Sequence, residues 1–133
     1  MLRAETKSRA RALQLLYAWE MQVAPPVPGA FELPVAAAAA AGTRRYACLV
    51  ALGAVIRGDT PHFDFVAGEA ARGLNAVAVA HALPVGFGVL TVDTMQQAVD
   101  RAGGSAGNKG HEAAAAALQA ADVIAQLRAV VDA

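Results

Sequence analysis

The stretch CLVALGAVIRGDTPHFDF, residues 48–65, decides the fold. Its first nine residues form a short, continuous apolar run, which suits a strand buried on both faces of a parallel sheet. The positions that follow place Arg57, Asp59, Thr60, His62 and Asp64 around Pro61. A turn needs glycine and proline. It does not need so many polar groups in a chain with only 11 Lys+Arg and 11 Asp+Glu. Residues 63–83 then carry helical periodicity until Pro84 breaks it. The polar cluster therefore lies just beyond the carboxyl end of a strand, the place where open α/β sheets bind ligands.

Working outward, residues 85–92, VGFGVLTV, read as a second buried strand. Asp93 begins Asp-x-x-Gln, a variant of the capping box, which predicts a helix over 94–102. Residues 103–110, GGSAGNKG, are a loop with four glycines, and 111–131 close the chain as a long alanine-rich helix. On the other side, residues 35–41 are an alanine-rich helix closed by Gly42. Residues 4–22, AETKSRARALQLLYAWEMQ, are also helical, with Leu13, Leu16, Tyr17 and Glu20 on one side and Leu15 and Trp19 extending the apolar stripe. That helix stops at VAPPVPG, residues 23–29, where three prolines and a glycine forbid continuation. Strand, helix, strand, helix, helix predicts a three-layer α/β/α fold around a parallel sheet.

The chain has 133 residues, enough for one domain with a modest core. At 56% hydrophobic and 17% charged it is globular rather than disordered. Much of that apolar content is alanine, which predicts close packing or burial against other subunits. A net charge of zero argues against a nucleic-acid footprint over the whole protein. The longest uninterrupted apolar runs, 35–42 and 46–56, fall short of the roughly 20 residues of a bilayer span. Charged residues and Trp19 stand where a signal peptide would have its apolar centre, so a soluble cytoplasmic protein is expected. The single cysteine, Cys48, lies in an apolar run and reads as a buried spectator.

Several residues admit both a structural and a chemical reading. Lone histidines are usually surface groups, and His81 and His111 have no other setting. His62 stands at a strand's carboxyl end and at the start of a helix, where an imidazole can move protons near neutral pH. Asp59 and Thr60 could cap that helix or, with its free N–H groups, cradle an anion. Arg101, at the end of the third helix of the α/β part, is either a partner for the helix dipole or a phosphate ligand. Lys109 has the same ambiguity. Phe87 sits between two glycines in a strand, where a ligand or another backbone can approach. Phe31 and Glu32 occupy a turn bracketed by prolines, where a flat ring and a carboxylate could meet a polar heterocycle. The glycine loop lacks the Gly-x4-Gly-Lys-Ser/Thr spacing, and neither a dinucleotide fingerprint nor Cys/His metal spacing is present.

Four segments carry a family resemblance: VPGAFELPVAA (27–37), ALGAVIRGDTPHFDFVAGEAARGL (51–74), PVGFGVLTVDTMQQAVDRAGG (84–104) and AGNKGHEAAAAAL (106–118). In order and spacing they resemble 6,7-dimethyl-8-ribityllumazine synthase, an enzyme of riboflavin biosynthesis. The resemblance implies a flavodoxin-like parallel sheet and no metal or organic cofactor. It also implies a homo-oligomer, a pentamer or a larger shell, with its active site between subunits. It implies condensation of 5-amino-6-(D-ribitylamino)uracil with 3,4-dihydroxy-2-butanone 4-phosphate. Matched motif by motif, Ala30, Phe31, Glu32, Ala54, Val55 and Ile56 would hold the ribitylaminouracil, with Phe87 supplied by an adjacent subunit. Asp59, Thr60 and Arg101 would bind the phosphate of the butanone, and His62 would transfer protons. Lys109 and Glu112 would support the shared site.

The resemblance also implies that the family's opening strand, helix and strand are missing here, together with an aromatic that stacks on the uracil-type ring. Residues 1–22 instead resemble the start of the transcription antitermination factor NusB, in which Arg3, Lys7, Arg9 and Arg11 would meet RNA phosphates. The expected organisation is thus a basic amphipathic helix over 1–22 and an N-terminally truncated synthase domain over 23–133. Besides the synthase, two readings stand: a catalytically defective scaffold of the same family, and an RNA-binding module led by the first helix.

Overall fold

A computed structural model of the chain describes residues 26–131. The expected helix over 4–22 and its likeness to NusB lie outside those residues. A single turn of 3₁₀ helix, Ala30–Glu32, leads into α1, Leu33–Gly42. β1 follows at Leu49–Ile56, α2 at His62–His81, β2 at Val85–Val92 and α3 at Met95–Arg101. A small pair, β3 at Ala102–Gly104 and β4 at Gly107–Asn108, precedes α4 at Lys109–Val131.

β1 and β2 pair in parallel without a slip, from Leu49 opposite Val85 to Ile56 opposite Val92. Side chains alternate across this ladder. Ala51 and Val89 turn to one face and build the core with Ala37 of α1 and Leu74 of α2, flanked by Leu33, Leu49, Val55, Val77 and Val85. Gly86 and Gly88 turn to the other face, against Ala113 and Ala117 of α4. The parallel pair thus lies between helices, a mixed α/β arrangement. The approach of α4 is close: a Cβ on Gly86 would stand 2.5 Å from the Ala113 carbonyl oxygen. On the other face a Cβ on Gly73 would stand 2.6 Å from Cγ of Pro34, so α1 and α2 also meet across a glycine. Small residues permit both contacts, and eight of the eleven buried hydrophobic residues described are alanines.

Several expectations are corrected. The strand over 48–56 is not buried on both faces: Leu52 is 49% exposed, and Gly53 and Ala54 are exposed, because β1 has one strand neighbour among the described residues. Gly42 does not close α1. The helix runs through it, and the Thr43 N–H donates to the Ala40 and Ala41 carbonyls. The capping box sits one residue later than expected, with Thr94 as the cap. The Gln97 N–H donates to Thr94 Oγ1 at 3.1 Å, while Gln97 Oε1 accepts from the Asp93 N–H at 2.8 Å. The glycine loop is a hairpin, turned by Gly103 and Gly107 at φ of 108° and 88°, conformations that only glycine adopts without strain. Cys48 is half-buried rather than buried, and burial pushes its thiol pKa up. Among the described residues α4 has the length and composition to cross a bilayer, a property that the count of uninterrupted apolar runs had missed. Its first half nevertheless packs Ala113 and Ala117 onto the sheet.

The contact at Gly86 leads to a paired expectation. Gly86→Ala drives a methyl into α4 backbone and costs about 1–3 kcal/mol. Gly68→Ala, in the interior of α2 with open space around it, gains about 0.5–1 kcal/mol. Urea denaturation of the two variants beside the parent checks both signs.

Candidate active site

Beyond Ile56 the chain leaves the sheet without coming loose from it. The Arg57 N–H donates to the Val92 carbonyl at 2.8 Å, continuing the ladder by one bond. The Arg57 side chain then holds three elements together. Its Nε is 3.0 Å from Asp93 Oδ1, at the end of β2, and its Nη1 is 3.4 Å from Asp64 Oδ1, in the first turn of α2. Its guanidinium carbon lies 4.3 Å above the Phe63 ring. These contacts fix the start of α2 relative to both strand ends.

The loop Gly58–Pro61 is pinned by that clamp, with Asp59, Thr60 and His62 all exposed along it. Pro61 occupies the cap position of α2 and makes no side-chain cap bond. The nearest substitute is Thr60 Oγ1, which accepts a long bond from the His62 N–H at 3.5 Å. Of the two readings of Asp59 and Thr60, side-chain capping is therefore the weaker. The Asp64 N–H donates to the Pro61 carbonyl at 2.9 Å, and the helix dipole favours negative charge at this end of α2. His62 begins α2, so its imidazole springs from the same end.

The 3₁₀ turn lies on the core side of the sheet, where Ala30 and Val55 both pack against the core cluster. Phe31 is 56% exposed beside it. The turn is closed by a bond from the Glu32 N–H to the Gly29 carbonyl at 3.2 Å. Val55 and Ile56 are partly buried and Ala54 is exposed. One end of β1 thus gathers the expected strand-end residues with Asp59, Thr60 and His62.

The other expected residues fall elsewhere. An open groove of about 390 Å³ lies on the α4 side of the sheet, lined mainly by Leu52, Gly88, Leu90, Val99, Arg101 and Asn108, with Ala54 at its wall. Arg101 turns back on its own helix, donating from Nη1 to the Gln97 carbonyl at 3.1 Å. Lys109 and Glu112 pair with each other at 2.9 Å, both exposed. Phe87 is 44% exposed and shares the face of Val85 and Val89, opposite the groove. Within one protomer Phe87 and Arg101 thus stand on opposite faces of the sheet.

Two residues were absent from the expected site. Asn108 lines the groove and accepts from the His111 N–H at 2.9 Å, capping α4. Its signal was available, since asparagine before a helix is a favoured cap. Arg57 had been noticed as part of a polar cluster, but its clamp needs Asp93, 36 residues away, and no local pattern shows that.

Comparison with known proteins gives one family. A family model described as 6,7-dimethyl-8-ribityllumazine synthase matches residues 6–125. The 6,7-dimethyl-8-ribityllumazine synthase of Nitratidesulfovibrio vulgaris (strain DSM 19637 / Miyazaki F) is 57% identical over 101 residues, covering 76% of this chain and 65% of that relative. The enzyme of the same name from Sodalis glossinidius (strain morsitans) is 56% identical over 103 residues, covering 77% of this chain and 66% of the relative. The chain thus spans just under two thirds of the length of these curated relatives. The likeness of residues 1–22 to NusB is not shown by these matches.

The clamp is exposed, so its energetic weight is small. Arg57→Ala is expected to cost about 0.5–1.5 kcal/mol at low salt, and less at high salt as the two ion pairs are screened. Denaturation midpoints at two ionic strengths check this.

Proposed function

Because the chain belongs to the 6,7-dimethyl-8-ribityllumazine synthase family, we propose that it carries out that family's step of riboflavin biosynthesis. The reaction joins 5-amino-6-(D-ribitylamino)uracil to 3,4-dihydroxy-2-butanone 4-phosphate and releases inorganic phosphate and water. The observation that carries this reading is the clamped, solvent-facing loop after β1. It aligns Thr60, His62 and the N-terminal end of α2 at the end of the strand whose last residues are Ala54, Val55 and Ile56.

The chemistry assigned to each group follows from its setting. The 3₁₀ turn, with Ala30, Phe31 and Glu32, and the strand end hold the ribitylaminouracil. The Thr60 hydroxyl and the positive N-terminal end of α2 hold the phosphate. Asp59 contributes there through its backbone, since its carboxylate would repel a phosphate. The substrate amine attacks the ketone, water leaves, and a Schiff base forms. His62 accepts and returns protons during that exchange and during departure of the phosphate. Ring closure then gives the lumazine. With both reactants held in line, proximity supplies much of the rate.

Phe87 and Arg101 act from a neighbouring copy in this reading, because within one protomer they stand on opposite faces of the sheet. Arg101 then adds positive charge where the phosphate leaves, and the Lys109–Glu112 pair supports it. The parallel sheet of each protomer is flavodoxin-like, and the working form is a homo-oligomer. What supports this part is the family membership together with the placement of Phe87 and Arg101 on opposite faces of the sheet within one protomer.

Product formation from the two substrates, followed by absorbance, tests the reading. The chain as it stands is expected to turn over, and His62→Ala is expected to slow turnover about 10–100-fold with substrate binding retained, because proton transfer is one contribution among several. No product from the unaltered chain would sink the activity and favour a scaffold of the same family. Complete loss in His62→Ala with binding intact would overturn the division of labour.

A further inference from the structure

Among the described residues no strand lies against the outer edge of β1. In parallel pairing, both backbone groups of a residue face the same neighbour, and alternate residues face opposite ways. The bonds from the Leu49 N–H to the Pro84 carbonyl and from the Arg57 N–H to the Val92 carbonyl, both 2.8 Å, make the odd-numbered residues the ones that face β2. The N–H and C=O groups of Val50, Leu52, Ala54 and Ile56 therefore point away from β2, where no strand stands among the described residues. Such an edge is a template for another strand, and natural chains blunt it with charge, proline or a bulge. The sequence of β1, LVALGAVI, has neither charge nor proline, and its pairing has no bulge.

The charges at the two ends of β1 indicate what lies against it. Before the strand, Arg44 and Arg45 are exposed, and neither has an acidic partner among the described residues. After it, Asp64 and Asp93 pair with the Arg57 guanidinium and Asp59 is exposed two residues beyond Arg57, so three carboxylates stand with one guanidinium at this end, an excess of two negative charges. A second copy laid parallel would set like charge against like. Laid antiparallel, it sets the positive end of each strand against the negative end of the other.

We propose that a second copy of this chain pairs antiparallel with the edge of β1 about a two-fold axis, so that the two sheets become one. The outward groups fix the register: Val50 opposes Ile56 of the partner subunit, and Leu52 opposes Ala54 of the partner subunit. The axis then passes at Gly53, a non-hydrogen-bonded position where the two backbones come closest. Glycine suits that position, since a Cβ there would add bulk where two copies meet. Arg45 of the partner subunit comes to the end of β1 at which Asp59 and Thr60 stand, next to the loop described above. The contact is independent of the activity reading.

Amide hydrogen exchange on the full chain tests this at two concentrations, about 1 µM and about 100 µM, since a contact between copies follows mass action. Protection of the Val50, Leu52, Ala54 and Ile56 amides is expected to rise about tenfold or more with concentration. The Ala51, Gly53 and Val55 amides, which face β2, should stay unchanged and report that the fold is intact. Arg45→Glu and Asp59→Lys should each remove the rise, and the two together should restore it. Leu52→Lys, which sets a charge on the edge, should also remove it. Equal protection at both concentrations would overturn the proposal. If high, the chain covers its own edge; if low, nothing covers it. Indifference to the charge exchange or to Leu52→Lys would overturn it as well.

Discussion

Eight residues of β1 lie on eight residues of β2 in one unbroken parallel register, and the remaining elements take their positions from that ladder. A one-residue slip in such a pair would turn every side chain to the wrong face. Here the register puts Leu52 beside Gly88, whose missing side chain leaves room for it: a Cβ on Gly88 would stand 2.6 Å from Leu52 Cδ2. It also puts the glycines of β2 under α4 and leaves Ala51 and Val89 to meet Leu74. Because both strands end at the same level, Arg57 and Asp93 emerge side by side and can close the ion pair that positions α2.

Much of this was legible in the chain before any coordinates. Both strands and the long helices were placed within a few residues, because apolar runs bounded by glycine, proline or aspartate are strong local signals. The misplacements have a common physical source. Asp93 and Thr94 are both good caps, and only the demand of Arg57 for Asp93 decides that Thr94 does the capping. The glycine loop was read as irregular because glycine is permissive. The same permissiveness lets Gly103 and Gly107 take the positive φ values of a tight hairpin. Burial of β1 on both faces was inferred from hydrophobicity, which reports how a residue partitions and not how many neighbours the fold supplies.

The candidate site divides along the same line. Asp59, Thr60 and His62 are consecutive or nearly so, and their setting at a strand end could be read directly. The positions of Phe87 and Arg101 could not. Each lies on an element with a clear pattern, yet which sheet face a side chain takes depends on alternation counted from the ladder. The answer separates the two across the sheet within one protomer. Residues in one linear family pattern need not meet inside one copy of the chain.

The alanine-rich interior has a thermal consequence. Alanine withdraws little apolar surface from water, and Leu74 is the only large side chain among the described residues to be fully enclosed. The heat-capacity increase on unfolding scales with the apolar area then exposed. Enthalpy and entropy of unfolding therefore change slowly with temperature in this protein. Its free energy of folding traces a shallow arch, with an unusually broad plateau and gentle shoulders toward both cold and heat.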